Sequence, residues 1–308
     1  MEEFLPEESA LNGDSQITMY SPAEVELIES TQRVLAAVKR SKPALVVFDS
    51  LSEMRLLAQS SLRYRRQVLA LKQYFVGCQC TVLLLDDCTA EGSDLQLQSI
   101  AHGVLSLEQM APAYGTTRRR LRVKKLRGSD FRGGYHDYSI RQDGLVAFPR
   151  LIAAEHGTGF AREPIKSGVT ALDSLLGGGL DRGTSTLLVG PAGSGKSTIA
   201  VQYAVAAAQR GDHAAIFAFD ESTATLKART RALGIAFAEG RGAGQISIQQ
   251  VDPAEMSPGE LTALVQSAVE NDDARVIVID SLNGYMTAMP EERFLSAQLH
   301  EMLSYLGR

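Results

Sequence analysis

STLLVGPAGSGKST, residues 185–198, is the stretch on which the reading of this chain turns. It matches the pattern G-x-x-x-x-G-K-[ST] at Gly190, Gly195, Lys196 and Ser197. The apolar run Thr186–Val189 precedes it and the helical stretch Ile199–Ala208 follows, so the loop is expected between a strand and a helix. Each position has a chemical reason. Gly190, Gly193 and Gly195 let backbone N–H groups close around a β-phosphate, and Ser194 and Thr198 complete the loop and the first helical turn. The helix N-terminus adds partial positive charge, Lys196 reaches the β- and γ-oxygens, and the Ser197 hydroxyl is placed to ligate Mg²⁺. The implied ligand is a nucleotide polyphosphate with Mg²⁺.

Working outward, two carboxylate positions fit the same site. Asp280 ends the apolar run Val276–Ile279, where a Walker B aspartate holds the hydrated metal, and the adjacent pair Asp220 and Glu221 follows the run AIFAF, residues 215–219. Carboxylates at the carboxyl ends of parallel strands face the crevice where α/β sheets bind ligands. After the phosphate loop, in this order, they read as a metal ligand and as candidates for activating water.

Short apolar runs separated by helical patterns imply parallel strands, crossover helices and an α/β sheet covered on both faces. The chain also repeats itself. At a shift of 231, Pro22–Glu24 falls on Pro253–Glu255, Val34, Ala37 and Val38 on Val265, Ala268 and Val269, and Asp49–Leu51 on Asp280–Leu282. Val68, Leu71 and Phe75 fall on Leu299, Met302 and Leu306. Around each copy the expected order is helix, strand, helix: Pro22–Arg40, the run ALVVFDS and Leu62–Phe75, then Pro258–Asn271, RVIVIDS and Glu291–Leu306. The end of the first copy is richer in strands, with TVLLL, VLSLEQ, a basic segment and YHDYSI. A boundary is expected in the aperiodic stretch EHGTGFARE, giving units 1–155 and 156–308.

With 308 residues, 44% hydrophobic, 22% charged and no Trp, the composition is that of a globular protein. No apolar window reaches the roughly 18 residues of a spanning helix and the N-terminus is acidic, so the default compartment is cytoplasmic, with no membrane partner. Cys78, Cys80 and Cys88 are too few and too clustered for a disulfide framework, and a metal site would need a further ligand such as His102. The net charge of −5 gives no global field for nucleic acid. Charge is uneven, however. Residues 1–30 hold eight acidic side chains and no Lys or Arg, whereas residues 116–134 hold eight basic ones, with Leu121 and Val123 alternating as in a half-exposed strand. LPEES at Leu5–Ser9 reads as an acidic surface loop.

The segments IKSGVTALDSLLGGGLDRGTSTLLVGPAGSGKST, AFDES and VIVIDSLNGYMTAMPEERF resemble the RecA-type ATPases of the KaiC family, and VVFDSLSEMRLLAQSSLRYRRQVLALKQYF and KKLRGSDFRGGYHDY of the first copy do so too. The resemblance covers essentially the whole chain. It implies two tandem RecA-like units, ATP held between neighbours of a hexameric ring, and a Lys-x-Arg-Gly segment presented to the phosphates bound next door, matched here by Lys125 and Arg127. The family's adjacent glutamates appear as Asp220 and Glu221, the first shorter by one methylene, which leaves open which of them polarises water. The repeat arithmetic then places the first copy's phosphate loop before Met1, and the second copy's Lys and Arg at positions 356 and 358. Both units are therefore expected to be incomplete, with the family's phosphoacceptor region also beyond residue 308.

Three functions compete on this reading. One is an ATPase whose hydrolysis needs Lys and Arg from a neighbouring subunit. Another is a non-catalytic module that binds ATP and assembles with full-length paralogues. The third, a RecA-type DNA-binding ATPase, rests on the basic strand, which the resemblance already assigns to phosphates at a subunit interface.

Overall fold

The computed structural model describes residues 22–87, 95–157, 163–235, 237, 244–288 and 294–308, in two compact units, Met1–His102 and Gly103–Arg308. The acidic stretch Leu5–Ser9 and Cys88 lie outside the described residues. In the first unit α1 (Pro22–Ser41) leads to β1 (Leu45–Phe48), α2 (Leu51–Ala58), α3 (Ser61–Gly77), β2 (Thr81–Leu84) and α4 (Leu95–Ile100). Strands β1 and β2 are parallel, with Leu45 opposite Thr81. Tyr64, Val68, Leu71 and Phe75 recur at helical spacing, and α3 buries them against Leu27, Val38, Leu51 and Ala58. The helices start where serines can cap them: the Ser50 and Ser60 side chains accept from the N–H groups of Ser52 and Arg63. Cys78 is free and exposed, Cys80 is free and partly covered, and no cluster of three or more metal-ligating side chains occurs among the described residues.

The second unit opens on an antiparallel sheet, β3 (Gly103–Met110), β4 (Arg118–Leu126), β5 (His136–Arg141) and β6 (Gly144–Phe148), in that order. After a 3-10 turn at Ala153–Glu155 come β7 (Pro164–Ile165), α5 (Thr170–Leu175), β8 (Leu180–Asp181), α6 (Lys196–Gln209), β9 (His213–Ala218), α7 (Thr223–Ala232) and β10 (Ile246–Gln250). The last elements are α8 (Pro258–Glu270), β11 (Ala274–Asp280), α9 (Leu282–Ala288) and α10 (Leu295–Leu306). The parallel sheet has the order β10-β9-β11. Strand β9 shows why both faces must be covered. Ala214 and Ile216 pack with Val201, Val205 and Leu226 of α6 and α7, while Ala215 and Phe217 pack with Leu261 and Val265 of α8 and Met302 of α10. Alternate residues of one strand thus enter two cores.

The helix–strand–helix repeat is present, with α1, β1 and α3 answering to α8, β11 and α10; residues 291–293, where the last helix is expected to begin, lie outside the described residues. The basic segment is strand β4, but two of its arginines serve packing. Buried Arg118 donates to the Pro253 carbonyl (2.6 Å), and Arg120 lies 3.4 Å from Asp137, whose Oδ2 accepts from the Gly259 N–H (2.8 Å) in the first turn of α8. A carboxylate at that end of a helix also meets its positive pole. These contacts group the β3–β6 sheet with residues 103–308, so the spatial division falls at His102/Gly103; residues 158–162, within the stretch where a boundary between tandem units is expected, lie outside the described residues.

One expectation needs correcting. The run Thr186–Val189 forms no strand and no ladder, and Leu187 and Val189 are 67% and 84% exposed. An apolar run becomes a strand only when another strand satisfies its backbone groups. Among the described residues strand β11 is the edge of its sheet, whereas its repeat counterpart β1 is paired with β2.

Asp173 fixes the approach to this run. Its Oδ1 accepts from the buried Ser167 N–H (2.7 Å), and that hydrogen bond, opposed by burial and helped by Gly168 and Lys166, holds its carboxyl below the ordinary range. A lowered folded value stabilises the fold above the ordinary carboxylate value of about 3.9, and the contribution is lost as pH falls through the folded value. Asp173→Asn is therefore expected to lower Tm at pH 7, with the difference from wild type shrinking as melts are taken into the acid range below about pH 4.

Candidate nucleotide site

The glycines of the phosphate loop shape its backbone. Gly193 and Gly195 have φ of 77° and 88°, left-handed values that a Cβ disfavours, and an ideal Cβ at either would meet nothing within 4 Å. That combination turns the chain sharply and keeps its inner surface bare. Helix α6 then begins on Lys196 with Gly195 as N-cap and no side-chain cap, so its first amides lack the side-chain acceptor that Ser222 and Ser257 supply to α7 and α8. Uncapped amides, bare glycine backbone and a lysine fit a triphosphate, whose oxygens supply the missing acceptors. Lys196 Nζ donates to the carbonyls of Gly190 (2.8 Å) and Pro191 (2.9 Å), which keeps the ammonium over the loop.

Sheet register brings the acids together. Asp280 lies opposite Ala218, and the Phe219 N–H donates to the Asp280 carbonyl (2.7 Å), so Asp220 and Glu221 leave the sheet beside the end of β11. The Ser281 hydroxyl donates to Asp220 Oδ2 at 2.6 Å. Glu221 is engaged by Arg229 of α7, with Nε 3.2 Å from Oε1 and Nη2 2.6 Å from Oε2. Arg229 lines a small cavity together with Ser197 and Thr198, which sets α7 against the start of α6. The residues that could hold Mg²⁺ are Ser197 and Asp280. One hydroxyl and one carboxylate suit an ion that keeps several waters and completes its shell from phosphate oxygens.

Lys125 sits on β4 and Arg127 just beyond it, and neither lines that cavity. Sequence reasoning missed Ser281 and Arg229. Ser281 is adjacent to Asp280, and Arg229 lies eight residues after Glu221 on a helix capped by Ser222, a spacing that a search for partners of the acidic pair would reach.

A glycine-rich loop opening a helix beside acid-ended parallel strands defines a P-loop ATPase of RecA-like α/β class. The family model for the ATPase KaiC matches residues 10–151 and 165–308, and the chain belongs to that family. It is similar to the circadian clock oscillator protein KaiC 1 of Synechocystis sp., at 25% identity over 268 residues, covering 85% of this chain and 51% of that protein. It is likewise 25% identical to the circadian clock oscillator protein KaiC of Acaryochloris marina over 276 residues, 88% of this chain and 52% of that protein. The chain thus spans about half the length of these relatives. Family membership implies nucleotide binding. Among the described residues no helix is long and apolar enough to cross a membrane.

Proposed function

We propose that the chain binds Mg-ATP at Gly190–Thr198 within the second of two tandem units, 1–155 and 156–308, and that hydrolysis requires basic groups from a neighbouring chain. The observation that carries the binding is the uncapped start of α6 on a left-handed glycine loop, with Lys196 and Ser197 in its first turn. Backbone amides grip the β-phosphate, Lys196 neutralises the β- and γ-oxygens, and Ser197 and Asp280 hold the hydrated cation. Bound Mg²⁺ would draw off negative charge from the phosphate oxygens. One of the adjacent carboxylates Asp220 and Glu221 orients water.

An assembly of copies, or of this chain with paralogous subunits in a ring, is supported by an apolar face on the β3–β6 sheet. Leu105 and Leu107, opposite Val123 and Leu121, share that face with Ile140 and Leu145, and Leu105, Leu107, Ile140 and Leu145 are exposed. Lys125 and Arg127 are the groups proposed to act across such an interface. A cytoplasmic location accords with the composition. The absence of turnover with retained ATP would favour the alternative of a non-catalytic binding module, and a steep salt dependence of DNA affinity would favour the RecA-type alternative.

The metal role is tested by equilibrium titration with a fluorescent ATP analogue. Asp280→Asn is expected to weaken binding about 10-fold with Mg²⁺ present and little in EDTA, since a hydrogen bond to a charged group contributes about 1.5–3 kcal/mol. Equal losses in both conditions would make Asp280 structural.

A further inference from the structure

The two carboxylates after β9 have unlike surroundings, and the difference reaches beyond their shared place in the sequence. Both oxygens of Glu221 are taken by the planar fork of Arg229, at 3.2 and 2.6 Å. A carboxylate held in that way has its best lone pairs committed. Asp220 is exposed, and only its Oδ2 is engaged, by the Ser281 hydroxyl; its Oδ1 makes no hydrogen bond among the described residues. The Ser281 oxygen itself accepts from the Gly284 N–H at 2.9 Å, which turns the hydroxyl proton toward Asp220. Gly284 leaves the room this needs, because a Cβ there would lie 2.9 Å from Asp220 Oδ1 and 2.8 Å from Phe219 Cβ.

We propose that the acidic pair is divided in role, with Arg229 and Ser281 as positioning residues: Arg229 locks Glu221 as a strut between the end of β9 and α7, and Ser281 aims Asp220 as the carboxylate that takes the proton of the attacking water. This rests on the ATPase reading above. In the reaction the water oxygen bonds to the γ-phosphorus, the bond from that phosphorus to the β–γ bridging oxygen breaks with its electron pair onto ADP, and the water proton passes to Asp220 Oδ1. Glu221, held by Arg229, leaves the proton to its neighbour and keeps α7 seated with Arg229 on the crevice that Ser197 and Thr198 also line.

Three measurements on the full chain, under conditions where wild type turns over, test this. Asp220→Asn is expected to lower kcat by about 100-fold or more with ATP affinity changed less than about 3-fold, while Glu221→Gln lowers kcat by no more than about 10-fold. Equal losses in the two would overturn the division. Ser281→Ala should lower kcat at constant ATP affinity, and Ser281→Thr, which keeps the hydroxyl, should restore it. Parallel loss of affinity and Tm without rescue would make Ser281 merely structural and overturn its role. Thermal melts of Glu221→Gln, Arg229→Gln and the double variant read the strut without catalysis: the double should melt no lower than the worse single, and additive losses would overturn it. Wild type that binds ATP yet shows no turnover at any protein concentration would remove the hydrolytic part of the function and with it the role of Asp220, leaving the melts to decide the strut.

Discussion

Turnover of ATP by this chain is expected to fall by about 10³-fold or more when the protein is diluted below the concentration at which its copies associate, because the loss of an arginine supplied in trans costs 10³–10⁵ in related chemistry. The reason lies in the inventory of cations. At the site Lys196 lies over its own loop and Arg229 is committed to Glu221. Neither is left to meet the charge that develops between the γ-phosphoryl group and the leaving ADP, where preorganised donors contribute most. Lys125 and Arg127 are the nominated donors, and Arg127→Ala should reproduce the loss at full protein concentration. The check is specific activity against concentration, with light scattering for association. Constant activity down to the monomer would refute the trans requirement.

Lys196→Ala is expected to raise the Kd for Mg-ATP by about 100-fold, since charge-assisted contacts of about 1.5–3 kcal/mol are lost and each 1.4 kcal/mol is tenfold. The fold should survive. The ammonium's two contacts are with carbonyls of its own exposed loop, and the residues that bury α6 are Val201, Ala204 and Val205, further along the helix. A Tm within a few degrees of wild type, together with the lost affinity, would separate a binding role from a structural one.

Much of this was legible in the sequence for identifiable reasons. The β9 and β11 strands announce themselves because both faces pack against a core, which leaves short unbroken apolar runs ended by Asp220 and Asp280. The loop was legible because glycine at positive φ and lysine at a helix start have few other uses together. The run Thr186–Val189 misled because apolar content shows what a segment could bury and not whether a neighbouring strand is present to pair with it. The alternation of the basic segment predicts a strand, but it does not show that Arg118 and Arg120 are spent on Pro253 and Asp137, residues 135 and 17 positions away. The same holds for the site. Asp220 and Glu221 look equivalent along the chain, and only the contacts with Ser281 and Arg229 distinguish them.

The central claim, one nucleotide site built on Gly190–Thr198, is tested most directly by calorimetric titration of the chain with Mg-ATP. A stoichiometry of one nucleotide per 308-residue chain, abolished in Lys196→Ala over the same concentration range, is the predicted result. No binding by wild type, or an unchanged isotherm in the variant, would contradict it.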